Sequence, residues 1–252
     1  MINLEVCSNS VRSCLAAQEG GAYRVELCDN LIEGGTTPSL AQIQIARKLL
    51  NIKLNVIIRP RGGDFLYDDL EFDIMKSEIE MCREAGCDGV VIGLLNADGS
   101  IDTVRTKILV DIAHKYGMSV TYHRAFDRCN DLFKGLEDVI NTGCNRILTS
   151  GGKDTALEGA DIVRNLIDLA RNRIIIMPGS GITENNIAEL VKRTGLSEFH
   201  GSFRSAYPGK MDYFNRDMSD WQDDKQQLYS DKEKIKKALQ QAIANQTINS
   251  RQ

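Results

Sequence analysis

Short runs of Val, Ile and Leu recur along the chain, and a longer segment of helical period follows most of them. The runs are Ile2–Cys7, Arg24–Cys28, Leu54–Pro60, Gly89–Leu95, Ser119–Phe126, Asn145–Ser150, Arg173–Met177 and Glu198–Phe203. Their starts lie about 22 to 35 residues apart, the length of a strand plus a crossover helix. The segments between carry helix punctuation. Thr37-Pro38-Ser39 opens one, with Pro38 where a first helical turn tolerates it, and Gly86, Gly117, Gly143 and Gly195 each close one just before the next strand. Eight such alternations without a linker or low-complexity stretch predict an α/β fold, a single-domain (β/α)₈ TIM barrel over residues 1–252. A doubly wound open sheet is the competing topology. It normally brings a glycine fingerprint after its first strand, where this chain has Cys7-Ser8-Asn9-Ser10.

Residues 205–230, polar and turn-rich and containing Pro208-Gly209 and Trp221, break the rhythm and are expected to be irregular, on the surface or over the barrel mouth. Residues 231–246 resume a helix with Ile235, Leu239, Ala242 and Ile243 on one face, read as the helix after strand eight, with a dimer contact as the alternative.

Composition narrows the function classes. With 252 residues, 42% of them hydrophobic, the chain can bury a large core. Its longest apolar stretches, Val90–Leu95 and Ile174–Met177, fall far short of the roughly 20 residues a bilayer requires. The net charge of −4 argues against nucleic acid as a partner. Met1–Glu5 shows no basic or long apolar leader, and seven cysteines, an odd number, are expected to be reduced thiols of a cytoplasmic protein.

Strand alternation places the chemistry. If Leu4, Val6, Val25 and Leu27 face the helices, then Glu5, Cys7, Glu26 and Cys28 point into the barrel. The same reading sends Asn55, Ile57, Arg59 and Arg61 inward on the third strand and Thr121 and His123 on the fifth, with Asp127 just past its end. On the eighth it selects Glu198, His200 and Ser202. Inward charges are costly unless paired or bound to a ligand. One reading is a layer of ion pairs, Glu5 and Glu26 against Arg59 and Arg61. The other is a polar pocket, because these groups collect toward the carboxyl ends of the strands, where barrels bind ligands.

Glu-x-Cys occurs in two consecutive strands, so two inward thiols are brought near each other. They either pack as small apolar residues or share a soft cation. Two thiolates suit copper(I), whereas zinc would need His123 or His200 to complete its set. His123 and His200 face each other across the mouth and could serve acid–base chemistry with Asp127 or a glutamate. The remaining candidates are inert or ambiguous: Cys14 and Cys82 on helices, Cys87 and Cys144 at strand starts, Cys129 close to the mouth, and a solvated His114. Ser150-Gly151-Gly152 and Pro178-Gly179-Ser180-Gly181 are turns whose N–H groups can approach an anion. With Arg59 and Arg61 on the same rim, they make a small anionic guest held by Arg59, Arg61, Ser150, Gly151, Gly179 and Gly181 a reasonable expectation.

Several stretches together resemble the CutC family of copper homeostasis proteins. They are Leu4–Cys7, Arg24–Cys28, Glu33–Ser39, Ile58–Phe65 with its Arg-Pro-Arg-Gly-Gly-Asp-Phe, Thr121–Asp127 with its His-Arg-Ala-Phe-Asp, Arg146–Gly151 and Glu198–His200. The resemblance spans about residues 1–215. It implies a single (β/α)₈ barrel, a cytoplasmic location, self-association as a dimer or tetramer, and copper handling, with copper(I) bound by the cysteines that match Cys7 and Cys28. Some members carry a further cysteine after the histidine of strand eight; Gly201 stands there, so that third thiolate is absent. Two functions therefore stand. One is copper(I) binding by Cys7 and Cys28. The other is an enzyme acting on a small phosphorylated or carboxylated metabolite, with Arg59 and Arg61 on the anion, Glu5 or Glu26 stabilising charge, and His123 or His200 moving protons.

Overall fold

The computed structural model describes residues 2–220 and 222–249, so Trp221 lies outside the described residues. Eight parallel strands form the sheet: β1 Asn3–Ser8, β2 Arg24–Leu27, β3 Lys53–Ile57, β4 Gly89–Ile92, β5 Ser119–Tyr122, β6 Arg146–Thr149, β7 Ile175–Pro178 and β8 Glu198–Gly201. Each pairs with its sequence neighbour from β1 to β7, β8 pairs with β1, and β7 packs beside β8, so the sheet closes into a (β/α)₈ barrel. Seven helices alternate with the strands: α1 Val11–Glu19, α2 Leu40–Leu49, α3 Asp69–Glu84, α4 Thr103–Lys115, α5 Leu132–Thr142, α6 Ala160–Ala170 and α7 Ile187–Thr194.

Local chemistry sets the helix limits. Ser10 and Ser39 cap α1 and α2 by accepting hydrogen bonds from the backbone of Ser13 and Gln42. Pro38 therefore precedes the cap, one position outside the turn expected to hold it. Asp68 and Glu71 form a reciprocal capping box on α3. Gly143 and Gly195 end α5 and α7 at φ 88° and 68°, the left-handed conformation that glycine reaches without strain.

Residues 205–230 depart from expectation. Their ends pair as an antiparallel hairpin of β9 Arg204–Pro208 and β10 Gln226–Ser230, in which Ala206 stands opposite Leu228 and Tyr207 opposite Gln227. The following helix, α8 Lys232–Asn249, packs on α7 and α1 and completes the helical ring. It buries Ile235, Ala238 and Ala242, leaving Ile243 exposed rather than on the buried face.

Outward strand residues such as Leu4, Val6, Val25, Leu27, Leu54 and Val56 join the helices in one apolar core. The interior of the barrel is different. Such interiors are usually filled by layers of Val, Ile and Leu. Here the inward positions at the amino end carry Arg24, Arg146 and Glu198. Glu5, Asn55 and Thr121 lie above them, and Glu26 and His200 follow toward the mouth. This polar column leads to the carboxyl end of the strands.

Candidate metal and ligand site at the barrel mouth

The column is an alternating chain of charges. Arg146 donates through Nε to Glu198 at 2.8 Å, and Arg24 Nη2 reaches the same Glu198 oxygen at 2.6 Å. Arg24 Nε donates to Glu5, whose other oxygen bonds His200 Nδ1 at 2.8 Å. On its far edge, His200 Nε2 lies 3.6 Å from Glu26. Cys7 Sγ and Cys28 Sγ are 3.9 Å apart, and ligating atoms of Cys7, Glu26 and His200 all fall within 4.8 Å of one another. The strands explain the convergence. β1 lies between β8 and β2, with Glu5 beside His200 and Cys7 beside Glu26. Glycine at 179 leaves room for the imidazole, since a Cβ there would stand 3.3 Å from His200 Cβ and 2.5 Å from Leu148.

Burial and these contacts set the protonation states. Burial works to raise the Glu5 pKa, but Arg24 and then His200 hold it down at about 2. The hydrogen bond from Cys28, with help from His200, brings the Cys7 thiol down to about 5 against the opposing effect of burial. The same hydrogen bond and burial drive Cys28 well above the ordinary thiol value. Burial opposes charge on His200, yet Cys7, Glu5 and Glu26 raise it well above its usual value. Burial, then the Cys7 thiolate, push Glu26 up to about 8. These shifts favour the thiolate of Cys7, the imidazolium of His200 and the carboxylate of Glu5, and they move Glu26 toward its neutral form.

This state is measurable. Alkylation of Cys7 by iodoacetamide, followed by mass spectrometry, is expected to inflect near pH 5 rather than near the ordinary thiol value of 9.0. Replacing His200 by asparagine should move the inflection up, and Cys28 should stay unreactive throughout. An inflection near 9 in the unmodified protein would remove the thiolate assignment.

The other expected site residues do not contact the thiol pair, although Arg59, His123 and Gly181 line the same cleft. Arg59 is buried, but its guanidinium donates to the backbone carbonyls of Glu33 and Gly35 at 2.7 and 2.8 Å and to that of Gly63 at 2.9 Å. Arg61 lies on the rim, paired with Glu71 and with Asp64 at 3.0 Å. Neither meets Glu5 or Glu26, so the expected ion-pair layer is not formed. β3 ends at Ile57, and beyond the ladder the two arginines follow loop geometry instead of strand alternation. The true partner of Glu5 is Arg24, which the sequence reasoning missed although it shares a parity with Glu26 and Cys28.

Asp127 also stands apart from the thiols. Its carboxylate accepts from Thr149 Oγ1, from Ser150 N at 3.0 Å and Oγ at 3.1 Å, from Gly152 N at 3.0 Å, and from Arg124 Nε at 2.8 Å. The anion seated in the turn after β6 is thus a side chain of the protein itself. Gly151 N donates to Thr149 Oγ1 and Gly179 N to Thr149 O, which occupies those two N–H groups as well. Gly181 lines the cleft, whereas His123 forms a second group beside Arg59 and Phe65 on its opposite wall.

The cleft over the thiol pair has a volume of about 1390 Å³. Fold and site together define a (β/α)₈ barrel protein with a dithiol–imidazole–carboxylate centre at the carboxyl ends of β1, β2 and β8. The sequence profile of the CutC family matches residues 2–205, and the chain belongs to that family. A CutC family protein of Chromobacterium violaceum is 53% identical over 210 residues, covering 83% of this chain and 84% of the relative. One from Bacteroides thetaiotaomicron is 51% identical over 216 residues, 85% of this chain and 86% of its own. The crystal structure of a CutC from Streptococcus agalactiae, described as a candidate copper homeostasis protein, superposes with a TM-score of 0.76 at 35% identity. That match covers 80% of this chain and 99% of the other. Phosphoribosylanthranilate isomerase from Thermotoga maritima, 13% identical at a TM-score of 0.59 and covering 97% and 100% of the two chains, shares the fold alone. No helix among the described residues is long and apolar enough to cross a membrane.

Proposed function

We propose that this protein binds copper(I) through the thiolates of Cys7 and Cys28, with His200 Nε2 as the third donor, in the copper homeostasis role that the name of its Streptococcus agalactiae relative carries. The supporting observation is the 3.9 Å separation of the two sulfurs. At metal–sulfur distances of about 2.3 Å, a trigonal ion spreads two sulfurs to about 4 Å and a linear one to about 4.6 Å. The sulfur spacing therefore suits a three-coordinate ion, and because His200 clusters with Cys7 and Glu26 rather than with Cys28, Cys28 has to move toward the imidazole for Nε2 to complete the set. The donors favour a soft cation. Glu5 occupies His200 Nδ1 and leaves Nε2 toward the sulfurs, the arrangement in which a carboxylate orients a ligating histidine. Cys7 is already ionised, so binding has to displace protons only from Cys28 and from His200 Nε2. Glu26, neutral and buried, is the poorest donor of the group, which disfavours a four-coordinate zinc set. Reduced thiols require a reducing compartment, so the reading carries a cytoplasmic location and the self-association expected of the family.

Anaerobic titration of the reduced protein with copper(I), against a colorimetric chelator, should give about one ion per chain. Replacing both Cys7 and Cys28 by serine should abolish that binding, and zinc should compete weakly. Unchanged stoichiometry in the double variant would overturn the reading.

A further inference from the structure

Across the cleft from the dithiol, His123 carries a donor that the protein does not use. The residue is 5% exposed and lines the cleft, with Nε2 itself shielded from solvent, so a guest reaches that atom only when the ring or the Phe65 packed on it shifts. Its Nδ1 accepts the backbone N–H of Ala125 at 3.1 Å, so the proton of the neutral imidazole sits on Nε2. No group among the described residues accepts that proton. A buried donor without a partner is costly to leave unmade, of order 1–3 kcal/mol, and in a cleft wall it marks the place of a ligand acceptor.

The surroundings fix the ring and define the guest. Glycine at 93 admits the imidazole, because a Cβ there would lie 2.3 Å from Nδ1. Phe65 packs on the His123 ring with centroids 5.1 Å apart, and the same phenyl ring carries the Arg59 guanidinium at 5.0 Å. The hydrogen bonds of Arg59 go to backbone carbonyls, so its charge is not cancelled by a carboxylate there. Burial and this neighbouring cation hold the His123 pKa down at about 3, which keeps the ring a neutral donor in a positive field. Ser180 and Phe203, both lining the cleft, have φ of 85° and 47°, left-handed strain of the kind that clusters at ligand sites.

We infer that the cleft is a binding site for a small organic carboxylate, one oxygen of which accepts the Nε2–H of His123 while the Arg59 charge balances it. Arg61, expected to share the anion, takes no part. The site does not depend on the copper reading, because none of its groups is a proposed ligand of the ion.

The test uses the metal-free full chain with pyruvate and malonate as probes, and chloride and inorganic phosphate as controls at matched ionic strength. In protein labelled with ¹⁵N on histidine, the His123 Nε2–H resonance should shift saturably with a carboxylate and not with chloride. In His123→Phe, carboxylate affinity by calorimetry should fall about ten- to hundredfold, the loss of one hydrogen bond to a charged acceptor, while copper(I) stoichiometry stays unchanged. If His123→Phe does not fold, the resonance of the unmodified protein decides alone. An unmoved Nε2–H at millimolar pyruvate and malonate overturns the inference, and so does a shift produced by phosphate but by neither carboxylate.

Discussion

Replacing Arg24 by alanine is expected to destabilise the protein by about 3–5 kcal/mol, the cost of breaking a buried pair by removing one partner. Arg24 sits with 3% of its side chain exposed between two carboxylates, Glu5 at 0% and Glu198 at 5%. Without it, Arg146 still serves Glu198, but Glu5 keeps only His200. Lysine should rescue little, because a single ammonium cannot reproduce the fork that reaches both acids. The effect has a pH signature. Glu5 has its folded pKa lowered from 4.5 to about 2, so its contribution is fully present above 4.5 and is lost as pH falls toward 2. In the variant burial dominates, the Glu5 pKa rises, and acid unfolding should begin at higher pH. Urea denaturation at pH 7 and an acid titration followed by circular dichroism measure the two effects. A loss below about 1 kcal/mol, the range of an exposed pair, would show that the column is hydrated rather than buried.

The same residues carry stability and the candidate chemistry. Arg24 holds Glu5, Glu5 holds His200 Nδ1, and His200 faces Cys7 and Glu26. Each link is also a buried polar group that would be costly alone. The site is therefore preorganised by the interior of the barrel, and variants low in the column should alter Cys7 reactivity without touching it.

The period of two in β1 and β2 made Glu5, Cys7, Glu26 and Cys28 legible from the chain, because one inward residue in a closed sheet fixes the parity of the rest. Arg24 obeyed the same parity, yet a basic residue at the start of a strand reads as a solvated rim position until its acidic partners are seen. Glu198 had been placed inward, but its pairing with Arg24 joins residues far apart in the chain, which periodicity does not reveal. Arg59 does line the cleft, but neither it nor Arg61 pairs with Glu5 or Glu26, for the opposite reason. They lie beyond the last ladder residue, where loop dihedrals and nearby carbonyls decide where a side chain goes. The β9–β10 hairpin escaped notice because its strands are short, polar and mostly exposed, with little alternation to betray them. That two inward thiols come near each other was legible from the strands, and the 3.9 Å between their sulfurs was not.

The turn after β6 supplies the second large expected effect. Glycine-rich turns at the late loops of a barrel are read as anion sites, and this one does hold an anion, the carboxylate of Asp127. Asp127→Ala should strip the acceptor from the buried Ser150 N–H and Thr149 hydroxyl and from Gly152 N. At about 1–3 kcal/mol for each of the two buried donors left unmade, the loss should reach about 2–6 kcal/mol if the turn stays in place. If instead the turn opens, the loss will be smaller, and protease cutting near Gly151–Lys153 will increase. Asp127→Asn separates charge from shape. It keeps one acceptor oxygen for the turn but loses the ion pair with Arg124, which is 41% exposed and of small value, while its amide nitrogen faces N–H donors it cannot satisfy. Its destabilisation should therefore fall between wild type and Asp127→Ala. Adding formate to Asp127→Ala should restore part of the stability, because the emptied nest still presents its N–H groups to a carboxylate of that size. Failure of formate to raise the melting temperature of Asp127→Ala above the rise seen in wild type would show that the turn does not keep its anion-binding shape once Asp127 is gone.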